Sequence, residues 1–238
     1  MGRGDTVTTV AIVAAGGSGT RLKASQPKQF LELAGKPLLA HTVARFVRSP
    51  DVDRIVLVLP SSGFDWYAGL MAPWFEDRTP LDMVPGGESR QDSVWNGLSS
   101  LESSFEGWVV VHDGARPLVT EELIHDVVDA GKRFGGALAG LPVEETLKEV
   151  DAEAAVLGTI DRARYYRAQT PQCFRHRILR EAFERASADG FLGTDEAQLV
   201  ERTGARVHMV RGSVKNLKVT TREHLALAEY YLKLEERS

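Results

Sequence analysis

Two cations, Arg21 and Lys28, follow a glycine-rich stretch, Ala14-Ala15-Gly16-Gly17-Ser18-Gly19-Thr20-Arg21, that comes straight after an apolar run. Glycines let the backbone turn tightly and approach a ligand with no Cβ in the way. Successive N–H groups then face one concavity, which suits phosphate. With two full positive charges beside it, the pattern reads as a site for a nucleoside triphosphate. The blander alternative is a tight turn carrying solvated cations. Spelling excludes two sharper motifs. A dinucleotide fingerprint starting at Gly17 needs glycine or alanine where Leu22 stands. A P-loop needs Gly-Lys followed by Ser or Thr, and the two Gly-Lys pairs, at 35–36 and 131–132, are followed by Pro37 and Arg133.

A carboxylate comes next in importance. Asp113, in His112-Asp113-Gly114-Ala115-Arg116-Pro117, follows the run Trp108–His112. Beside a triphosphate an acidic group is repelled unless a divalent cation lies between them, and Mg²⁺ usually takes one or two carboxylates plus substrate phosphates. Arg116 can neutralise phosphate or pair with Asp113, and a turn-capping Asp113 is the plain alternative. His112 reads as a strand-end packing residue. Gly86-Gly87-Glu88-Ser89-Arg90-Gln91-Asp92-Ser93 sets glycines before a helix start, where N–H groups are free. Ser93, one turn in, can turn its hydroxyl to a base or ribose, or the segment is simply a capped helix. Lys218, inside Asn216–Val219, must pair, snorkel or hold an anion. The polar groups of 161–162, 169–172 and 193–196 read singly as turn chemistry.

These residues need elements to carry them, and strands alternate with helices. Strands are predicted at 7–14, 54–59, 81–84, 108–112 and 136–141, and helices at 36–47, 64–75, 90–101 and 121–134, with Thr120 as an N-cap. Apolar strands between helices argue an α/β chain with a mostly parallel sheet covered by helices on both faces. Ligands of such sheets bind beyond the carboxyl ends of the strands, where the glycine loop, Gly86-Gly87 and Asp113 all fall. The stretch 142–167 breaks the pattern. It is polar and β-prone, with a turn at 151–153, and reads as a hairpin arm leaving the sheet. Hairpins alone are marginal in water, so a second copy of the chain is its simplest partner. Helices at 176–188 and 195–203, strands at 206–210 and 216–219, and a helix at 221–235 complete the chain as a single domain, 1–238, with 1–6 as a loose end.

The 238 residues are 43% hydrophobic and 26% charged with a net charge of −4, ordinary for a globular chain and no sign of a nucleic-acid partner. Cys173 is the only cysteine, which excludes an internal disulfide and fits a cytoplasmic setting. No apolar run approaches the roughly 20 residues of a spanning helix, so no membrane partner is expected.

Taken together, AAGGSGTR, PKQFLEL (27–33), GKPLLAHT (35–42), GGESRQDSV (86–94), HDGARP (112–117), TPQ (170–172), GTDEA (193–197) and NLKVT (216–220) stand in the order of a known family. Over nearly all of 7–234 the chain resembles the 2-C-methyl-D-erythritol 4-phosphate cytidylyltransferases of bacterial non-mevalonate isoprenoid synthesis. The resemblance implies a Rossmann-like fold and cytidylyl transfer from CTP to methylerythritol phosphate with Mg²⁺. Arg21 and Lys28 then match the cations that stabilise the transition state at the α-phosphate, and Arg162 and Lys218 those that position the acceptor. Ala14, Ala15, Gly16, Gly17, Ser18 and Gly19 would wrap the nucleotide, with Gly87, Glu88, Arg90 and Ser93 on the cytidine and ribose. Asp113 falls near the metal and both substrates, with Gly114, Arg116, Thr170 and Thr194 as substrate contacts. The arm at 142–167 would build a homodimer and carry Arg162 to the partner's site. One departure is Lys23, where many members have glycine; it bears on rate and nucleotide affinity. Rival readings are cytidylyl transfer to another polyol phosphate such as ribitol 5-phosphate, a regulator without turnover, and an oxidoreductase.

Overall fold

Runs of Val, Ile and Leu that tolerate burial on both faces form the centre of the molecule. In the computed structural model, which describes residues 8–17, 27–75 and 79–235, the chain runs β1 (Thr9–Ala14), β2 (Glu32–Leu33), β3 (Lys36–Pro37), α1 (Leu38–Arg48), β4 (Arg54–Leu59), α2 (Phe64–Met71), β5 (Leu81–Pro85), α3 (Arg90–Ser99) and β6 (Trp108–Asp113). It continues through α4 (Glu121–Phe134), β7 (Gly136–Pro142), β8 (Leu147–Val150), β9 (Val156–Ile160), β10 (Tyr166–Arg175), α5 (His176–Ala188), α6 (Glu196–Glu201), β11 (His208–Arg211) and α7 (Arg222–Glu235). Seven strands form one sheet in the order β11-β7-β10-β6-β1-β4-β5. The pairs β1–β4, β1–β6, β4–β5 and β7–β11 are parallel, and β10 alone runs antiparallel to both neighbours.

Alternation along the strands feeds two cores. Ala11 and Val13 of β1, with Ile55 and Leu57 of β4, pack under α1, α2 and α4. Val10 and Ile12, with Val56 and Val58, pack under α3, α5 and α6. The helix ends follow local chemistry. Thr120 caps α4 by accepting from Leu123 N–H at 3.1 Å, as expected, and Gly135 at φ 92° ends that helix in the left-handed region, where glycine is at ease. Because β1, β4, β5 and β6 are parallel, their carboxyl ends share one edge.

Several expectations are corrected. Tyr166–Arg175 is a strand of the main sheet, not the end of the arm and a turn, so the arm's paired strands are only β8 and β9, joined as a separate two-stranded sheet. Asn216–Val219 is irregular rather than a strand: Val219 N–H bonds the Ala115 carbonyl, which ties the segment to the turn after β6. Lys36 and Pro37 belong to a small β2–β3 ribbon, and α1 starts at Leu38, because Pro37 sits extended at the N-cap. The helix expected over 64–75 stops at Met71 and passes into a 3₁₀ turn at Ala72–Trp74 containing Pro73.

Candidate active site

The ends of β1 and β5 meet at a contact that only glycines permit. A Cβ on Gly16 would stand 2.7 Å from Ser93 Oγ and 3.2 Å from Gly86 Cα. One on Gly86 would stand 3.0 Å from Gly16 Cα. The Ser93 hydroxyl accepts from Gly87 N–H at 3.1 Å and donates to the Ser89 carbonyl at 2.9 Å. It is buried and works as a clasp on this turn rather than as an exposed contact. Ser89 and Asp92 form a capping box that starts α3 and so aims Arg90. On the other side the Gln29 amide donates to the carbonyls of Ala15 and Gly17, at 2.6 and 2.8 Å. The result is a cleft of about 450 Å³ walled by Gly16, Gly17, Pro27, Gly87, Glu88 and Arg90. Lys28 opens a 3₁₀ turn directly after Pro27. Ser18, Gly19, Arg21 and Lys23 lie outside the described residues.

A second cleft, about 270 Å³, shares Arg90 with the first and is lined also by Asp113, Arg116 and Lys218. The Asp113 carboxylate is nearly buried and faces three cations. Arg90 Nε donates to Oδ1 at 3.0 Å, while Arg116 Nε and Lys218 Nζ reach Oδ2 at 3.2 and 3.0 Å. Arg90 also forks onto Glu196, Nη1 to Oε1 at 2.7 Å and Nη2 to Oε2 at 3.0 Å. Burial opposes ionisation of Asp113, but Arg90, Lys218 and Arg116 outweigh it and hold the carboxyl well below its usual range. Arg90 is raised despite its own burial, by Glu196 and then Asp113. Asp195 also lines this cleft, so three carboxylates, Asp113, Glu196 and Asp195, stand against the three cations. The expectation that Lys218 sits in an apolar strand is replaced by this pairing.

The turn that carries Asp113 is held from beneath. Gly114 N–H bonds the Ala14 carbonyl at 2.9 Å, and a Cβ there would meet Leu39 and Ala15. Thr170 Oγ1 accepts from Asp113 N–H at 3.0 Å and lies 3.0 Å from His112 Nδ1. Thr170 and Thr194 both line the second cleft, Thr194 as an exposed side chain. Arg162 lies elsewhere, exposed on the arm, with its guanidinium on the Glu144 carbonyl. Sequence reasoning missed Glu196, Gln29 and Asn216. All three stood inside quoted motifs, yet a glutamate in a helix's first turn ordinarily reads as solvated. Asn216, wholly buried, donates to the Thr170 carbonyl at 2.8 Å, while its own carbonyl accepts from Arg116 at 2.9 Å.

Metal fit can be judged from the donors. Among the described residues no group of three or more His, Cys, Asp and Glu could hold an ion. Asp113 spends three of a carboxylate's roughly four acceptor positions on cations. One position remains, which fits a single carboxylate ligand to a cation held otherwise by phosphate oxygens.

Residues 9–234 match the family model of 2-C-methyl-D-erythritol 4-phosphate cytidylyltransferase. The chain is 45% identical to the protein of that name from Syntrophus aciditrophicus over 227 residues, covering 95% of this chain and 97% of the relative. It is 43% identical to the one from Geotalea uraniireducens, covering 94% and 96%. Among solved structures it is similar to the 4-diphosphocytidyl-2C-methyl-D-erythritol synthase of Anaerococcus prevotii, with a TM-score of 0.83 at 29% identity, covering 96% of this chain and 100% of the other. It is also similar to the 2-C-methyl-D-erythritol 4-phosphate cytidylyltransferase of Thermus thermophilus, with a TM-score of 0.75 at 33% identity, covering 95% and 98%.

Proposed function

The chain belongs to the 2-C-methyl-D-erythritol 4-phosphate cytidylyltransferase family, and we propose that two of its clefts divide the two substrates between them, CTP in the glycine cleft and the acceptor over Asp113. The enzyme transfers the cytidylyl group of CTP to 2-C-methyl-D-erythritol 4-phosphate, releasing pyrophosphate and forming 4-diphosphocytidyl-2-C-methyl-D-erythritol for isoprenoid synthesis. The observation that carries the division is Arg90, which walls both clefts.

An oxygen of the acceptor's phosphate forms a bond to the α-phosphorus of CTP, and the bond to the bridging α–β oxygen breaks. A phosphate monoester is already an anion at pH 7, so no strong base is required. The difficulty is bringing an anion onto a phosphate, and positioning with electrostatic stabilisation overcomes it. The glycine cleft, walled by Gly16, Gly17, Gly87 and Glu88 and shaped by the buried Ser93, holds the nucleotide, with Ala14, Ala15, Ser18 and Gly19 assigned to it by resemblance alone. Lys28 supplies charge beside the α-phosphate, and so does Arg21, assigned by resemblance alone. A divalent cation, when bound, neutralises charge that builds on the phosphoryl oxygens; Asp113 would hold it with its remaining lone pair. Lys218 and Arg116 draw the acceptor's phosphate in, and Thr170, Thr194 and Gly114 shape the wall beside it.

The reading includes a homodimer in one catalytic domain per chain. Exposed Val150, Val156, Leu157, Tyr165 and Tyr166 cluster on and beside the arm, which supports a covering partner, and Arg162 would act in the partner's site. Among the described residues no helix is long and apolar enough to cross a membrane; we place the enzyme in the cytoplasm. Pyrophosphate release from CTP, ATP, GTP and UTP with methylerythritol phosphate or ribitol 5-phosphate tests the reading. CTP with methylerythritol phosphate should exceed every other pair, and a faster rate with ribitol 5-phosphate would overturn it.

A further inference from the structure

The 191–196 segment, which carries Thr194, is gripped by two consecutive side chains of α3. Gln91 accepts from Gly193 N–H at 2.8 Å and donates to the Phe191 carbonyl at 3.1 Å. Arg90 makes the bidentate contact to Glu196, which is only 1% exposed at the start of α6. A carboxylate buried that far is rarely kept unless paired. It is not what caps the helix: Asp195 accepts from Gln198 N–H, and Gln172 ties Asp195 and Ala197 N–H to β10.

What the fork does is fix a plane. A guanidinium is rigid and flat. Once Nη1 and Nη2 meet the two oxygens of Glu196, the Nε–H has a set direction, and it is aimed at Asp113 Oδ1. Without the fork, Arg90 can turn two donors onto Asp113. That would compete with Arg116 and Lys218 for the same carboxylate and swing the guanidinium off the wall of the glycine cleft.

We infer that Glu196 is a positioning residue of the transfer, one that sets the place of the cations in both substrate clefts by gripping Arg90. The inference rests on the reading of Arg90 and Lys218 as site residues. Glu196→Gln keeps the shape and removes the charge, whereas Glu196→Asp keeps the charge and withdraws it by one methylene. Steady-state kinetics with each substrate varied, alongside thermal melting, should show turnover per folded molecule lower by about 10- to 100-fold in both. The KM for methylerythritol phosphate should rise roughly fivefold or more, because that site's cations are displaced. A purely charge-balancing role would instead let the aspartate variant rescue, and that result overturns the inference. So do kinetic constants within about twofold of wild type in whichever variant folds, or loss of fold in both, which would make Glu196 a core ion pair. Lys218→Ala in the same assay separates the two layers. If it too turns over normally, the site reading fails; if it is impaired while the Glu196 variants are not, only the positioning role fails.

Discussion

Lys218→Ala should separate catalysis from stability more sharply than any other single change. The substitution takes one of three cations from Asp113 and leaves Arg90 at 3.0 Å and Arg116 at 3.2 Å in place. The lost pair spans 3.0 Å, and the Lys218 side chain is 33% exposed. At that separation the gross attraction in an effective dielectric of about 20 is about 5 kcal/mol. Water reaching the ammonium, and the cost of desolvating the pair, offset most of it, so the net contribution is about 1 kcal/mol or less. For a chain of this length that lowers the melting temperature by about 2–4 °C. The kinetic effect is larger. If Lys218 holds the acceptor's phosphate against the α-phosphorus, its loss misplaces the nucleophile, which costs on the order of 100-fold in turnover. Lys218 lines the Asp113 cleft and not the glycine cleft, so the CTP dissociation constant should move by less than about threefold. Lys218→Arg should rescue poorly, because a planar fork does not reproduce a compact ammonium. Pyrophosphate release beside calorimetry with CTP and Mg²⁺ measures both quantities. Normal turnover in both variants would reduce Lys218 to a structural cation, and a loss of CTP binding in step with turnover would move it to the nucleotide site.

Lys28→Ala should lower turnover by about 100- to 1,000-fold with little change in melting temperature, as loss of one charge contact in a water-excluded site does; a rate within threefold of wild type would exclude its transition-state role. Excess EDTA should abolish activity and added Mg²⁺ restore it, whereas full activity in EDTA would contradict the metal role of Asp113. Sedimentation at assay concentration should give a dimer, and shortening the arm across 147–160 should yield a monomer of low activity; a fully active monomer removes the case for Arg162 in trans. Asp113→Asn should destabilise by about 1–3 kcal/mol at neutral pH, since Arg116 and Lys218 lose their charged partner while remaining partly in water and Arg90 keeps Glu196. Because the folded-state pKa of Asp113 is depressed, its contribution is complete above the unfolded value near 3.9 and is lost as pH falls through the lower folded value. Urea unfolding of the two proteins should therefore differ by a constant amount from pH 8 to about 5 and converge only in acid.

The parts of the fold that were legible in the chain are those where one local force decides. β4 and α4 have the bounds their sequence predicts, because RIVLVL suits burial on both faces and Thr120 and Gly135 punctuate the helix. β10 was not legible. Its first three residues, Tyr166, Arg167 and Ala168, are exposed, and its buried stretch opens with Gln169-Thr170-Pro171-Gln172, polar side chains with a proline, before the apolar Cys173 and Phe174. Such residues are buried only because distant groups satisfy them: Gln169 bonds the Ser213 carbonyl, and Gln172 bonds Asp195. Nothing local announces those partners. The site divides the same way. Asp113 and Arg116 are three residues apart and their pairing could be read from spacing. Arg90 and Glu196 are 106 residues apart, and only the fold brings them together.

That division explains how the turn bearing Asp113 and Arg116 is held. His112 is fully buried, and burial pushes its imidazole down to about 3 despite the attraction of Asp113. It is therefore neutral, with one donor and one acceptor nitrogen. The Arg116 carbonyl can only accept, so Nε2 carries the proton at 3.2 Å from it, and Nδ1 is left to accept from the Thr170 hydroxyl. Thr170 is then free to accept from Asp113 N–H. Each group in this chain has one role that the others allow, so the turn bearing Asp113 and Arg116 has a single hydrogen-bonded arrangement throughout the neutral pH range. β10 is what delivers Thr170 to that turn, and β6 delivers His112 and Asp113. The antiparallel strand that sequence reading could not see thus helps to fix the turn bearing Asp113 and Arg116, and on the proposed reading charges fixed in this way need no reorganisation as the phosphoryl group passes.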